Sequence, residues 1–272
     1  MECRKIAGFE VSTIGMGTYR SFDVRSKADI DVRWKIITNC IETGVSLIDS
    51  SPMYGEAEQV IGRTTGAAGV REKLRFATKV WTRGRSEGQR QIRQSFELMG
   101  TDYVDLFQIH NLLDWRTQLD NLEELKKQGH IGAIGVTHNT ASAYPEMMQI
   151  MKTGRIDAIQ VPYNVVERAC EAEVLPLAGE LGIAVLVMEP LEKGRYVTGL
   201  RRAPDMAPLA EFGVSTWAQA LLAWVISDSR ITSAIPATSR PERILENAKA
   251  GDMGHLHLEL RDYIREETKR CM

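Results

Sequence analysis

Four residues whose side chains can move or hold a proton follow short apolar runs along the chain. Asp49 and Tyr54 lie in LIDSSPMYG, Lys79 lies in FATKV and His110 lies in FQIHN. A phenol with a pKa of about 10 is a weak acid at neutral pH, and a nearby ammonium lowers that pKa by stabilising the phenolate. Lys79 would supply the ammonium, Asp49 would hold it charged and in place, and His110 would orient a substrate oxygen. This set of side chains indicates general acid–base chemistry at an oxygen atom.

The elements that must position these residues are short strands that alternate with amphipathic helices. The strand candidates are near-continuous apolar runs, which are typical of strands covered on both faces. They are Ile14–Gly17, Ser46–Ser50, Arg75–Val80, Asp105–His110, Ile131–His138, Asp157–Tyr163, Ile183–Glu189 and Ser233–Ala237. The helix candidates are Asp31–Glu42, Glu56–Thr64, Ser86–Met99, Gln118–Gln128, Ala141–Met151, Cys170–Leu181, Ser215–Ile226 and Pro241–Ala250.

Eight strand–helix units in succession predict an α/β fold, a (β/α)8 TIM barrel formed by residues 1–272 as a single domain. Two segments lie outside the repeat. Lys5–Thr13 is a candidate hairpin that turns at Gly8 and covers the bottom of the barrel, and His257–Lys269 is a candidate terminal helix. The connection Leu191–Val214 is long for such a unit, which makes it a candidate functional loop.

The four candidate residues share one rim of the predicted barrel, because active sites of such barrels lie at the carboxyl ends of the strands. Each residue also has an ordinary structural interpretation. An Asp at a strand end often caps a helix or turn, a Lys there reaches solvent, a His in an apolar strand packs in the core, and a Tyr beside Gly packs. Their coincidence at the ends of neighbouring strands favours the catalytic interpretation.

Composition and charge exclude several classes of protein. The chain has 34 Lys plus Arg against 36 Asp plus Glu, so it lacks the basic excess of a nucleic-acid-binding protein. Its longest wholly apolar run, Ala220–Ile226, is far shorter than the roughly 18 residues that a membrane span needs. The four cysteines are scattered, which fits a reducing cytoplasm and offers no spacing for a metal site.

The motifs, taken in order, resemble the aldo-keto reductase superfamily over essentially the whole chain. They are GMGTY, LIDSSPMYG, FATKVW, DLFQIHN, IGAIGVTHN, IQVPYN, VMEPLEKG and IPATSRPERILEN. The resemblance implies NADPH-dependent reduction of aldehydes or ketones to alcohols on a (β/α)8 barrel, with NADH as the less favoured cofactor. It assigns the proton donor to Tyr54, assisted by Lys79, Asp49 and His110.

The resemblance also implies a cofactor site that runs from the nicotinamide to the adenine. For the nicotinamide end it implies Gly17, Thr18, Thr137, His138 and Gln160. For the pyrophosphate it implies the segment that carries Glu189, Leu191 and Lys193. For the 2′-phosphate and the adenine it implies Thr238, Arg240, Arg243, Glu246 and Asn247. Two positions depart from the family pattern: His138 stands where Asn is usual, which would make cofactor affinity depend on pH, and Ala237 stands where many members have Lys.

The substrate is expected to be a small carbonyl compound in a shallow, open pocket. The candidate substrate-binding residues are Tyr19 and Trp81, which resemble family pocket positions, and Asn111, which begins a short connection after the fourth strand. A monomer or a weak homo-oligomer is expected. Two alternatives stay open: a regulatory or redox-sensing protein of the same fold that binds NADPH with little turnover, and an enzyme that forms a Schiff base on Lys79.

Overall fold

The strands form a small hairpin and a closed parallel barrel. The structure, a computed structural model, describes residues 1–66 and 70–272. The hairpin strands are β1 (Cys3–Ile6) and β2 (Phe9–Ser12). The barrel strands are β3 (Met16–Gly17), β4 (Leu47–Asp49), β5 (Arg75–Val80), β6 (Val104–His110), β7 (Ile131–Thr137), β8 (Ala158–Pro162), β9 (Ala184–Met188) and β10 (Ser233–Ala234). The predicted (β/α)8 barrel is confirmed, with the N-terminal hairpin outside it.

The barrel closes where its first strand meets its last. Strands β3 to β10 pair in sequence order, and each pair is parallel. Parallel bridges from Ile14 to Ala234 and from Gly17 to Ala237 complete the circle. A Cβ atom on Gly17 would lie 2.7 Å from the carbonyl oxygen of Ile235. Closure at this point therefore requires a glycine.

Helices surround the barrel on its outer side. They are α1 (Lys27–Thr43), α2 (Ala57–Thr65), α3 (Arg85–Met99), α4 (Trp115–Gln128), α5 (Tyr144–Met151), α6 (Val174–Leu181), α7 (Arg195–Thr198), α8 (Trp217–Ile226), α9 (Pro241–Ala248) and α10 (Leu258–Cys271). Consecutive helices contact each other from α1 to α4, and α9 contacts both α8 and α1. The helices and the outer face of the strands share the larger hydrophobic core.

The hairpin closes the bottom of the barrel, as predicted. Ile6 and Val11 on its two strands are fully buried. They belong to the smaller core cluster inside the barrel, together with Leu47, Leu106 and Leu186. Because apolar side chains fill this end of the interior, a polar ligand is expected to enter from the opposite end, where the strands finish.

Some boundaries of helices and strands differ from the sequence prediction, because a capping side chain or a proline decides where the element begins or ends. Helix α1 begins at Lys27 rather than Asp31, because the Ser26 side chain accepts a hydrogen bond from the Asp29 N–H and caps it. Strand β10 ends at Ala234 rather than Ala237, since Pro236 lacks the N–H that the ladder needs.

The long connection at residues 191–214 is ordered and lies against the end of the chain. It contains α7 and a short 3-10 helix, Ala207–Phe212, and its side chains Tyr196 and Leu209 are buried. The backbone N–H of Asp205 donates to Glu267 of α10. In the described parts of the chain, no helix combines the length and apolar character needed to cross a membrane.

Candidate active site

A buried ion pair forms the floor of a cleft at the carboxyl end of the barrel. Asp49 is the last residue of β4, and Lys79 lies near the end of the neighbouring β5. The Lys79 Nζ donates to Asp49 Oδ2 at 2.7 Å and to the carbonyl oxygen of Ser50 at 2.6 Å. Lys79 is 0% exposed and Asp49 is 2% exposed. Buried charges of this kind are tolerated only when they are paired and hydrogen-bonded, and both conditions hold here.

Two amides complete the surroundings of the Asp49 carboxylate. Gln108 and Gln160 each donate from Nε2 to Asp49 Oδ1 at 3.0 Å. Burial opposes the charge on Lys79, but the nearby Asp49 and Tyr54 outweigh it and raise the pKa of Lys79 overall. The amine therefore stays protonated at neutral pH. A protonated amine is not a nucleophile, which argues against the Schiff-base alternative.

Tyr54 lies above the Lys79 ammonium. The Lys79 Nζ is 5.2 Å from the centre of the Tyr54 ring. Burial raises the pKa of Tyr54, Lys79 lowers it, and Asp49 raises it again, and the balance is a raised pKa. Lys79 does lower the pKa of Tyr54, as the sequence predicted, but burial raises that pKa by more. The phenol is therefore protonated at neutral pH, which is the state of a proton donor.

His110 ends β6 beside Tyr54 and is held by a serine. Its Nδ1 lies 3.0 Å from the Ser51 Oγ, and its ring meets the Tyr54 ring edge-on with centres 6.0 Å apart. Burial, reinforced by the positive charge of Lys79 and by His138, lowers the pKa of His110 to about 3. The imidazole is neutral at physiological pH. When the Ser51 hydroxyl donates to Nδ1, the His110 proton lies on Nε2, where it can be donated to a ligand oxygen.

The cleft above this floor has a volume of about 610 Å³. Most of the candidate residues line it, and they come from several strand ends and from the start of α9. These are Gly17, Thr18, Tyr19, Asp49, Tyr54, His110, Asn111, Gln160, Glu189, Leu191, Lys193, Thr238, Arg240, Arg243 and Asn247. Five candidates do not line it: Lys79, Trp81, Thr137, His138 and Glu246. Lys79 and Thr137 are fully buried.

At the strand ends next to the floor, β7 and β8 arrange the candidate nicotinamide residues. The Thr137 hydroxyl donates to Gln160 Oε1 at 3.4 Å, which orients the amide that also contacts Asp49. The residue after His138, Asn139, lines the cleft, while the His138 ring accepts from the Thr140 N–H. Burial lowers the pKa of His138. The pH at which His138 gains a charge is therefore lower than the sequence prediction assumed.

The opposite end of the cleft carries two cations, an exposed Arg240 and a half-buried Arg243. Arg240 precedes Pro241 at the start of α9, and its backbone N–H donates to the Thr238 Oγ1 at 3.1 Å. Arg243, in the first turn of α9, forms an ion pair with Glu246. Guanidinium groups at a helix N-terminus fit a phosphate group. This end can therefore hold an anion, although Glu246 already neutralises one of its cations.

The segment between the two ends contributes Lys193, which pairs with Glu189 at 2.8 Å. Both residues have positive φ angles, 54° in each case, as does Glu192 at 46°. Non-glycine residues rarely adopt this conformation, and it concentrates at ligand-binding segments. The backbone geometry supports the prediction that this segment covers a ligand.

Several residues of the site escaped the sequence analysis. Gln108 lies two positions before His110 on β6, and residues two apart share one face of a strand, so the signal was present in the pattern. Ser51 follows the end of β4, where a hydroxyl gives no distinctive signal. Met53 lines the cleft within the LIDSSPMYG motif, directly before Tyr54, and Arg20 lines it directly after GMGTY; neither was predicted as a site residue.

Comparisons with known proteins agree with this geometry. The Aldo/keto reductase family model matches residues 13–266. An NADH-specific methylglyoxal reductase of Escherichia coli is 30% identical over 271 residues, covering 78% of this chain and 82% of that protein. Methylglyoxal reductase YeaE of the same organism is 29% identical, covering 86% of this chain and 84% of its own length.

Solved structures give the same result. An aldo-keto reductase from Klebsiella pneumoniae in complex with NADPH superimposes with a TM-score of 0.83 at 27% identity, covering 98% of this chain and 96% of that one. An aldo/keto reductase from the same organism, in complex with NADP and acetate, gives a TM-score of 0.80 at 27% identity, covering 94% and 91%. The family match over most of the chain, the closed barrel and the ordered rim residues together show that this chain belongs to the aldo/keto reductase family of oxidoreductases.

Proposed function

We propose that this protein reduces small aldehydes and ketones to alcohols, with Tyr54 as the proton donor. The observation that carries the proposal is the floor of the cleft. There a protonated phenol lies over a buried, charged amine and beside a neutral imidazole. Two E. coli relatives are named as methylglyoxal reductases, so methylglyoxal is the first substrate to test.

Each residue of the floor has one task in this reaction. A bound nicotinamide cofactor supplies the hydride that adds to the carbonyl carbon. Tyr54 gives its proton to the carbonyl oxygen, and Lys79 stabilises the phenolate that remains. Asp49 holds the Lys79 ammonium in position, at 2.7 Å. Neutral His110 donates a hydrogen bond that orients the carbonyl oxygen towards Tyr54.

The residues of the cleft fit a dinucleotide cofactor. Gln160 lies at the floor with its amide group already oriented by Thr137. Lys193 lies on the intermediate segment, and Arg240 and Arg243 lie at the far end. The cations are thus spread along the cleft, which suits a ligand with phosphates at more than one place. In this proposal Asn247 contacts the adenine end; Glu246, which the resemblance also assigned there, does not line the cleft and acts through its ion pair with Arg243.

We propose NADPH as the preferred cofactor, with NADH as the alternative. Arg240 and Arg243 support NADPH, because a guanidinium recognises the 2′-phosphate that NADH lacks. Two observations support NADH. Glu246 already pairs with Arg243, and position 237 is an alanine without a cationic side chain. One E. coli relative is named NADH-specific, and a Klebsiella structural relative is a complex with NADPH.

The experiment follows the loss of reduced cofactor absorbance with methylglyoxal and with benzaldehyde, using NADPH and NADH in parallel. The wild-type protein is expected to turn over at least one of these substrates. Tyr54→Phe is expected to lower kcat by about 10²–10⁴-fold, because it removes the general acid. Tyr103→Phe is the matched control, since Tyr103 is exposed and does not line the cleft.

Two outcomes would contradict the proposal. One is the absence of turnover on a broad carbonyl panel while the cofactor still binds, which would favour the regulatory alternative. The other is equal turnover of Tyr54→Phe and the wild type.

A further inference from the structure

The loop after β3 is held firmly against the floor of the cleft. Thr18 donates from its backbone N–H and from its Oγ1 to the carbonyl oxygen of Asp49, at 3.0 and 2.9 Å. The N–H groups of Ser21 and Phe22 both donate to the carbonyl oxygen of Thr18. Every one of these groups is buried. The loop is therefore fixed relative to the residue that positions Lys79.

A buried arginine clamps the same loop from α1. The Arg33 Nε donates to the carbonyl oxygen of Ser21 at 2.7 Å, and Arg33 is 8% exposed. Between these anchors Arg20 has a φ angle of 58°, in the left-handed region. This conformation costs a non-glycine residue free energy, and it persists only where the surroundings impose it. The anchors on both sides supply that constraint and fix the point from which the Arg20 side chain extends.

The Arg20 guanidinium lies against the ring of Tyr19, which in turn is next to Tyr54. Its central carbon is 5.1 Å from the centre of the Tyr19 ring, and that ring is 5.0 Å from the Tyr54 ring. Arg20, Tyr19, Met53 and Tyr54 all line the cleft. The Tyr19 ring is therefore next to both the guanidinium and the proposed proton donor.

Within residues 1–66 and 70–272, Arg20 makes no hydrogen bond or ion pair. The next acidic residue along the chain, Asp23, and its neighbour Glu56 are engaged elsewhere. Asp23 accepts from the Glu56 N–H at 3.0 Å, and Glu56 pairs with Arg25 at 2.9 Å. Of the other cations that line the cleft, Lys193 pairs with Glu189, Arg243 pairs with Glu246, and Arg240 lies at the start of α9.

We propose that Arg20 is an anion-binding subsite for the substrate and selects aldehydes that carry a carboxylate about one aromatic ring away from the reacting carbonyl. The inference rests on the proposed function and goes beyond it by naming a class of substrate. A guanidinium binds a carboxylate through two parallel hydrogen bonds, and the ring of Tyr19 beneath it restricts its orientation. Neutral His110 does not compete for the carboxylate, and the charged Lys79 is buried beneath the floor.

The test compares 4-carboxybenzaldehyde with 4-formylbenzamide, which has nearly the same shape and no charge. The measured quantity is the ratio of their kcat/KM values, acid over amide. Arg20→Gln is expected to lower this ratio about tenfold, mainly through the KM of the acid, because one charge-assisted contact is lost. Arg20→Lys is expected to retain an intermediate ratio, because the charge remains without the bidentate geometry.

Arg25→Gln is the matched control, because Arg25 is an exposed arginine five residues further along the chain whose partner is Glu56. Its ratio is expected to equal that of the wild type. The same ratio in the wild-type protein is expected to fall when about 0.5 M salt is added, which tests the charge without any substitution. Equal ratios in wild type and Arg20→Gln, or a ratio that salt does not change, would overturn the inference. Turnover of neither aldehyde would instead count against the proposed function itself.

Discussion

The two ends of the cleft are built in opposite ways. At the floor, Lys79 and Asp49 are 0% and 2% exposed, and every charged atom there has a partner from the barrel strands. At the far end, Arg240 is exposed and Arg243 is paired with Glu246 on the surface of α9. Under the proposed function, the barrel fixes the chemistry of the site, while a few surface charges would set its cofactor preference.

The surrounding medium explains why the two ends should respond differently to substitution. Breaking a buried ion pair leaves an unpaired charge in a medium of low dielectric constant, which is costly. An exposed ion pair contributes little to stability, because water and salt screen it. Changes at the floor should therefore affect both folding and catalysis, whereas changes at the far end should affect only the binding of an anion.

The largest expected effect comes from breaking the buried pair. Lys79→Met should lower the free energy of unfolding by about 3–5 kcal/mol, because the Asp49 carboxylate is left buried without its cation. The double variant Lys79→Met/Asp49→Asn should regain much of that stability, because no charge remains. Urea unfolding at neutral pH measures both.

Lys126→Met is the matched control for this experiment. It breaks the partly exposed pair between Lys126 and Asp157, 2.6 Å apart, and should cost about 1 kcal/mol or less. If Lys79→Met cost no more than Lys126→Met, the floor of the cleft would not be the constrained region that the structure describes.

A smaller effect is expected from Arg243. Arg243→Gln should raise the Kd for NADPH about tenfold and leave the Kd for NADH almost unchanged, because a charged contact with the 2′-phosphate is lost. Glu246→Gln should tighten NADPH binding, since it releases Arg243 from its ion pair. Fluorescence titration of each variant with both cofactors measures these constants without turnover.

Equal losses for the two cofactors in Arg243→Gln would place this residue outside the 2′-phosphate site. Weaker NADPH binding in Glu246→Gln would show that the ion pair orients Arg243 for the phosphate rather than competing with it.

The smallest expected effect is that of pH on kcat. The pKa of His110 is lowered to about 3, so this imidazole is already neutral at pH 5 and changes nothing above it. The pKa of Tyr54 is raised, so the phenol loses its proton only above its ordinary value of about 10. The rate of the chemical step should therefore be level between about pH 5 and pH 9. A step in kcat near pH 6.5 that disappears in His110→Gln would show that His110 titrates in the working range.

Much of the fold could be predicted from the sequence, because apolar runs that indicate strands and helical spacing of apolar residues are local patterns. All eight barrel strands lie at the predicted places, and the hairpin closes the barrel bottom through Ile6 and Val11. Boundaries were less certain, because they depend on single hydrogen bonds such as the Ser26 cap of α1.

The sequence could predict the site residues that belong to a motif at a strand end. Asp49, Tyr54 and His110 do line one cleft, with Lys79 beneath them. The sequence could not predict the contacts between segments that are far apart in the chain. No local pattern shows that Arg33 of α1 clamps the loop carrying Arg20, or that Asn139 rather than His138 lines the cleft. The sequence also could not predict the direction in which the pKa of Tyr54 shifts, because that direction depends on the balance between burial and two opposite charges.

The most direct test of the central claim is a single-turnover experiment with NADPH that carries deuterium on its transferable position and with methylglyoxal as substrate. For the wild type, deuterium should appear on the carbon of the new alcohol. For Tyr54→Phe, the same product should form at least about 10²-fold more slowly while the Kd for NADPH is unchanged. Product without deuterium, or an unchanged rate in Tyr54→Phe, would contradict the assignment of Tyr54 as the proton donor in a hydride transfer.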